Sequence, residues 1–381
     1  MPTRRKLIAT AGAVTIAATA LTACSSAATS AAVGNSSAAA GTLASVCPKT
    51  VVIQTDWYAT PERAAAYQLA GPGGTVDAKK GAYLGKIGDT GVSVEVRLGG
   101  PFIGYQAVSA QMYTDTSITL GYVSTDSAVR DFAKFPTLGV VAPLDKDPQI
   151  VMWDPATLTT VKTWADVAPT NAKVLYTEGL TYMDYLVSKG IVKKSQLDAS
   201  FDGSPSRFVA AGGKEMQQGY VSNEPYRWEH NVPQWNKPVK YLLVADAGWD
   251  VYPQQVAIRS AEKEKLSPCL KQLVPLLQKA QLDYIKDPAA TNQTLLDIGA
   301  KIKDGPPITA DGNADSVKVQ LSEKIVANGT DGTLGSMDPT RLTNSISMLG
   351  TMFATKNIKI QDGLKPSDIA TNEYLDPSIH Q

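Results

Sequence analysis

The sequence predicts an α/β protein built as two lobes. Three observations lead there. Short β-branched runs alternate with helix-patterned segments over most of the chain. Strand signals are dense at the start and again in the middle. The final third turns helical. This suits two α/β lobes with largely parallel sheets, the last third packing back on the first lobe. The chain has 381 residues. Setting aside a leader and a low-complexity stretch leaves about 335, enough for about two domains. There is no internal repeat.

Taken in order, Val51 to Gln54 reads as a buried strand ending in the polar and aromatic tip Thr55-Asp56-Trp57-Tyr58. Pro61 and Glu62 open a helix, with proline suited to the first turn. That helix carries Tyr67 and stops at Gly71-Pro72-Gly73-Gly74. Val92 to Leu98 alternates as a strand does, and a helix follows the Gly99-Gly100-Pro101 break through Tyr105 and Met112. Ile118 to Val123 is a strand, and Ser124-Thr125-Asp126 offers capping oxygens to the helix Ala128 to Phe135. Strands follow at Leu138 to Ala142, Ile150 to Trp153 and Lys173 to Tyr176, with a helical turn at Thr163 to Val167 and a helix at Gly179 to Lys189. Phe208 to Ala211, Met216 to Val221 and Tyr226 to His230 continue the alternation, and Val239 to Val244 and Val256 to Ile258 are strands. From Leu266 to Tyr284 the pattern is helical, and most of the remainder to Met352 stays helical between loops.

The first residues carry an address. Arg4, Arg5 and Lys6 precede an apolar stretch that ends in Leu21-Thr22-Ala23-Cys24. This reads as a signal peptide over residues 1–23, and its ending resembles a bacterial lipobox. The resemblance implies cleavage before Cys24, lipidation of its sulfur, and a protein held on the outer face of the cell membrane. Residues 24–47 are rich in Ser, Ala, Gly and Thr, a composition that suits a disordered tether. Cleavage removes three basic residues and leaves 33 against 36 acidic ones. With no basic patch, nucleic acid is not expected as a partner. Besides Cys24, only Cys47 and Cys269 occur. Outside the cytoplasm they either bridge or stay as two thiols, and the oxidising compartment favours the bridge.

The motifs of common enzymes are missing. Only His230 and His380 are present, and there is no Gly-x-Ser-x-Gly, His-Glu-x-x-His, Cys-x-x-Cys or Walker A segment. The Asp311 to Asp315 run lacks EF-hand spacing and reads as a surface turn. No cofactor and no metal are expected, and the chain is read as a non-enzyme. What the sequence does place at strand ends is aromatic and acidic. Asp56, Trp57 and Tyr58 follow one strand; Thr125 and Asp126 follow another; Glu178 and, a turn later, Tyr182 follow a third; Asn223 and Glu224 follow a fourth. In open α/β sheets ligands bind outside the carboxyl ends of the strands. Each residue also has a plain reading: core packing for Trp57 and Tyr58, an N-cap for Asp126, helix-dipole placement for Glu178 and Glu224, and an amphipathic face for Tyr182.

The stretch Thr55-Asp56-Trp57-Tyr58-Ala59-Thr60-Pro61-Glu62 with Tyr67-Gln68 resembles the opening of the substrate-binding proteins of ABC importers of the thiamine-precursor and nitrate/sulfonate/taurine type. Gly203-Ser204-Pro205 through Gln217-Gln218-Gly219-Tyr220-Val221-Ser222-Asn223-Glu224-Pro225-Tyr226 resembles a second segment of that family, and Trp153-Asp154-Pro155 resembles actinobacterial members. The resemblance implies a type II periplasmic-binding-protein fold, two lobes joined by two crossover strands. On that expectation lobe 1 is 48–145 with 256–381, lobe 2 is 146–255, and the hinges lie near Leu144 to Pro148 and Asp250 to Gln255. Asp56, Trp57, Tyr58, Glu62, Tyr67, Tyr105, Thr125 and Asp126 would serve the ligand from the first lobe, and Glu178, Tyr182, Asn223 and Glu224 from the second. Arg63 stands where thiamine-precursor members commonly carry His, a departure that argues against a pyrimidine. The cysteine-rich, histidine-dependent site of the related pyrimidine synthases is missing. The expected partners are a small solute, read as planar and nitrogen-containing, an ABC permease, and the membrane through the lipid anchor; the chain is expected to act as a monomer. The alternatives are a binder of a small anion such as sulfonate or nitrate, a surface enzyme using Asp56 and Glu224 as acid and base, and a structural lipoprotein with an apolar seam.

Overall fold

The computed structural model describes residues 42–303 and 305–381. The signal peptide, Cys24 and most of the tether lie outside the described residues. The end of the tether is corrected. Helix α1 (Thr42–Val46) buries Leu43 in the first-lobe core, and Cys47, just after it, forms a disulfide with Cys269. Leu43 supplies the apolar anchor that the surrounding small residues lack.

The first lobe follows in order as β1 (Thr50–Gln54), α2 (Ala64–Ala70), β2 (Thr75–Asp77), β3 (Ala82–Lys86), β4 (Ser93–Arg97), α3 (Val108–Thr114), β5 (Leu120–Val123), α4 (Thr125–Asp131) and β6 (Thr137–Val141). The second lobe runs β7 (Gln149–Trp153), α5 (Val167–Thr170), β8 (Val174–Leu175), α6 (Thr181–Ser188), β9 (Leu197–Asp198), α7 (Ser206–Ala210), β10 (Met216–Tyr220), α8 (Glu224–His230) and β11 (Lys240–Leu243). The chain then returns through β12 (Gln255–Arg259) and ends in α9 (Lys263–Lys286), α10 (Ala289–Lys301), α11 (Ala310–Ser322), α12 (Pro339–Thr355) and α13 (Pro366–Ile369).

One sheet has seven strands in the order β2-β3-β4-β1-β5-β12-β6; the other has five, β11-β7-β10-β8-β9. Strand β1 is parallel to β4 and β5, and β8 is parallel to β10 and β9. The remaining pairs are antiparallel. The expectation of largely parallel sheets is therefore corrected to mixed sheets. The return strand β12 inserts between β5 and β6 from the other lobe, and β7 enters the second sheet the same way, so both run against their neighbours. The hairpin β2–β3, short and flanked by glycines, gives no periodic signal. Phe208 to Ala211, an apolar run too short to distinguish strand from helix, lies in and just after α7. Tyr105 is not helical: it follows a 3-10 turn at φ 58.

Strand β1 is almost wholly buried, as a central parallel strand must be. Val51, Ile53, Val94, Val96 and Leu120 pack against Leu270, Leu273 and Leu277 of α9. In the second lobe Ile150, Met152, Leu175, Phe208 and Trp228 form a core that also takes Val317 of α11. Helix α12 touches α4 and α6, so the C-terminal helices meet both lobes. The two crossovers, 142–148 and 248–254, run as irregular segments rather than strands. Among the described residues no helix is long and apolar enough to cross a membrane.

Candidate functional site at the interlobe seam

The carboxyl end of β1 is shaped by close backbone approach. Gly99 and Gly100 donate their N–H groups to the carbonyls of Trp57 and Asp56 at 2.9 and 3.0 Å. A Cβ at Gly99 would overlap the Asp56 carbonyl, and Gly100 lies under the Trp57 ring at φ 58. The Thr55 hydroxyl donates to Trp57 O at 2.8 Å. This fixes a tight exit from the strand into the 3-10 turn Pro61–Arg63, which places Glu62 and Arg63 inside.

Arg63 is the hub. Its Nε and Nη2 donate to the two carboxylate oxygens of Asp56 at 2.9 and 2.7 Å, a bidentate pair. Its Nη1 lies 3.5 Å from Glu62, and its guanidinium sits 5.5 Å from the centre of the Tyr220 ring in the other lobe. Burial alone would depress Arg63, but Asp56, Tyr220 and Glu62 outweigh it and hold the guanidinium charged. Gln254, on the second crossover, donates to Glu62 O at 3.0 Å and accepts from Arg63 at 3.1 and 3.2 Å when its amide is oriented to suit its neighbours.

Across the seam, Ser222 donates to Glu62 Oε1 at 2.5 Å, and Thr181 of α6 donates to Asp126 Oδ2 at 2.7 Å. Glu224, at the start of α8, folds over Gly219 and accepts the Tyr220 N–H at 2.5 Å. Burial outweighs that bond and the nearby Arg227 and, with the like charge of Glu62 adding to it, pushes the Glu224 carboxyl up to about 7. Tyr182 is buried beside Asp147, Tyr220 and Glu224, and burial raises its hydroxyl well above the ordinary value. Asp147, on the first crossover, accepts from Gln149 N at 2.9 Å and from Trp249 Nε1, on the second, at 3.0 Å; burial drives its carboxyl up to about 6.

The structure thus gathers Asp56, Glu62, Tyr182, Asn223 and Glu224 along one seam. Asp126 joins through its bond to Thr181. Trp57 and Tyr58 meet edge-on at 5.5 Å, and Trp57 lies 6.1 Å from Tyr105, which is 67% exposed. Three expected residues stand apart. Tyr67 lies wholly in the first-lobe core against Tyr83. Thr125 is buried and engaged with Tyr252 and Gln255. Glu178 is exposed. Arg63, Tyr220, Ser222, Arg227, Gln254 and Asp147 were not among the expected site residues. The one local signal was a basic residue beside Glu62; the others acquire their neighbours only in space. These side chains are polar and charged, while apolar clusters also draw on residues of both lobes. A recess beside Glu62 and Arg227 holds about 20 Å³, against the several hundred Å³ of a typical small-ligand cleft. Among the described residues no cluster of three or more metal-type side chains occurs.

With this geometry in hand, similarity to solved structures defines the class of fold. The chain resembles the periplasmic aliphatic sulphonate-binding protein SsuA of Escherichia coli at 14% identity and a TM-score of 0.54, covering 88% of this chain and 94% of that one. It resembles the alkanesulfonate-binding protein of Xanthomonas axonopodis pv. citri bound to MOPS at 13% identity and a TM-score of 0.51, covering 85% and 99%. The ligand-binding component of an ABC-type import system from Staphylococcus aureus, with zinc bound, aligns at 12% identity and a TM-score of 0.53, covering 86% and 100%. No protein-family profile and no curated protein matches the sequence. The chain therefore has the two-lobed, type II solute-binding fold.

Proposed function

We infer that this protein is the solute-binding component of an ABC importer, taking a small organic solute between its lobes and handing it to a membrane permease. The observation that carries this reading is the meeting of the β1 and β10 carboxyl ends across a polar seam, bonded through Ser222 and Glu62. A solute enters only if the lobes part about the two crossovers. It favours the reclosed form by its differential affinity for it, and exclusion of water strengthens each polar contact. Asp56, Trp57, Tyr58, Glu62, Tyr182, Asn223 and Glu224 are the residues we assign to the solute. Their aromatic and carboxylate chemistry suits a planar, nitrogen-bearing body. The anion alternative gains one specific support, the guanidinium of Arg227, and the sulphonate-binding neighbours share the fold. Export, lipidation at Cys24 and action as a monomer at the outer face of the membrane complete the proposal. The reading includes no catalysis.

A thermal-shift screen tests it, with aminopyrimidines, flavins, polyamines, sulfonates, nitrate and amino acids as the panel. A true ligand at a thousand times its Kd adds about 4 kcal/mol, and the Trp57 fluorescence should change at the same concentration. A well-folded chain, free of co-purified solute, that responds to no class would overturn the reading.

A further inference from the structure

The recess beside the seam is walled by both lobes and by the C-terminal region. Glu62 comes from the first lobe, Ser222 and Arg227 from the second, and Ile308, Asn313 and Ser316 from the segment that opens and continues α11. Two of these groups lack partners. Arg227 is only 8% exposed, yet among the described residues its guanidinium makes no ion pair and no side-chain hydrogen bond; its contact is the Trp228 ring, 5.2 Å away. Asn313 is 3% exposed and its Nδ2 has no hydrogen-bond partner. Arg227 feels the Glu224 carboxylate without a direct ion pair to it, and a buried amide without an acceptor, as at Asn313, is unfavourable. The nearest carboxylate on its own helix, Glu224, is itself pushed towards its neutral form by burial and accepts the Tyr220 N–H.

The charges around the recess are unevenly spread. On the first-lobe side, one cation, Arg63, serves two carboxylates, Asp56 and Glu62. Glu62 is further engaged by Ser222. On the second-lobe side, Arg227 makes no direct ion pair, and the carboxylate that acts on it is Glu224. Thr309 caps the first turn of α11 by accepting the Gly312 N–H at 3.1 Å, and the exposed Asp311 lies in that turn. A free anion would therefore meet Arg227 and Asn313 favourably but Glu62 unfavourably. A molecule with an anionic head and a nitrogen-bearing body would satisfy both sides.

We propose that Arg227 and the Asn313 amide form a subsite for the anionic head group of the solute, a carboxylate, sulfonate or phosphate, while the acidic side of the seam receives its nitrogen-bearing body. This rests on the solute-binding reading and names the class of solute: one that carries both an acidic group and N–H donors. The recess as it stands accommodates only a water-sized group, so the subsite acts on a head group that the lobes close around.

Two measurements test this. The first follows thermal unfolding of the purified chain in sodium acetate, methanesulfonate and phosphate, with sodium chloride holding ionic strength constant. The second titrates amino acids and aminosulfonates alongside the matching amines that lack the acid. Acid-bearing members should bind and their amine counterparts should bind at least about tenfold more weakly, as expected when a charged partner is lost. Arg227→Gln should erase that difference, Arg227→Lys should restore part of it, and Asn313→Leu should reduce it. Arg207→Gln, which alters a surface arginine paired with Asp198 and Glu215, should leave it intact. If Arg227→Gln fails to fold, the Lys and Asn313 variants carry the test. Equal binding of acid and amine by the wild type would overturn the subsite and leave solute binding standing. A saturable response to the small anions, lost in Arg227→Gln but without binding of any organic solute, would support the anion site and overturn the solute-binding reading.

Discussion

Glu224 and Asp147 show how a closed seam acts on single residues. Both carboxyls are raised by burial, from ordinary values of 4.5 and 3.8 to about 7 and about 6. The folded chain then holds more protons than the unfolded chain between the two values of each group. Stability is therefore highest on the acid side and falls as pH rises, through about 6 for Asp147 and about 7 for Glu224. Replacing Glu224 by Gln keeps an acceptor for the Tyr220 N–H and removes the charge. Urea unfolding from pH 4.5 to 8 should show the variant gaining on the wild type as pH rises, by up to about 3 kcal/mol above pH 7. Parallel curves would mean that Glu224 is not the titrating group. The acids and aromatics at strand ends were legible residue by residue. Arg63 shows what was not legible: the sequence places it beside Glu62, and only folding pairs it with Asp56.

At the scale of elements, the N-terminal helix and the longest helix are held together covalently. Cys47 follows α1, Cys269 lies in α9, their Cα atoms are 4.7 Å apart, and the bridge closes a separation of 222 residues. In the chain-entropy view so long a loop makes the crosslink strongly stabilising. Changing both cysteines to Ser should lower the unfolding free energy by about 2–5 kcal/mol, measured against denaturant; an unchanged midpoint would show that α1 packing alone secures the N-terminus. Element identity was clear in the sequence wherever periodicity ran long, as in α9, or where a β-branched run was bounded by turn residues, as in β1 and β12. It was obscure in β2 and β3, whose pairing with β4 rather than their own pattern makes them strands.

For the whole molecule, one arginine joins the two connections between the lobes. Arg341 of α12 lies 3.2 Å from Asp145 on the first crossover and 2.6 Å from Asp250 on the second, donates to Val251 O at 2.9 Å, and stacks 3.9 Å over Tyr252. The Asp250 contact is an ion pair whose angle falls outside hydrogen-bond geometry. Ser345 adds a bond to Asp250 O at 2.8 Å. A rotation of the lobes must strain or break part of this set. Arg341→Gln should therefore shift the chain towards a more open form, seen as a larger radius of gyration by small-angle scattering in the absence of added solute. An identical scattering profile would place the control of opening elsewhere.

The sequence by itself determined the α/β class, the order of most elements and the cysteines able to bridge, because these depend on local periodicity, turn residues and residue type. Only the tertiary structure decided the mixed strand directions, the pairing of Asp56 with Arg63, the bond from Ser222 to Glu62 and the burial of Arg227 without a direct ion pair. Those depend on which segments, up to 160 residues apart in the chain, meet when the lobes close. Neither charge compensation nor burial is a property of a residue before it has neighbours.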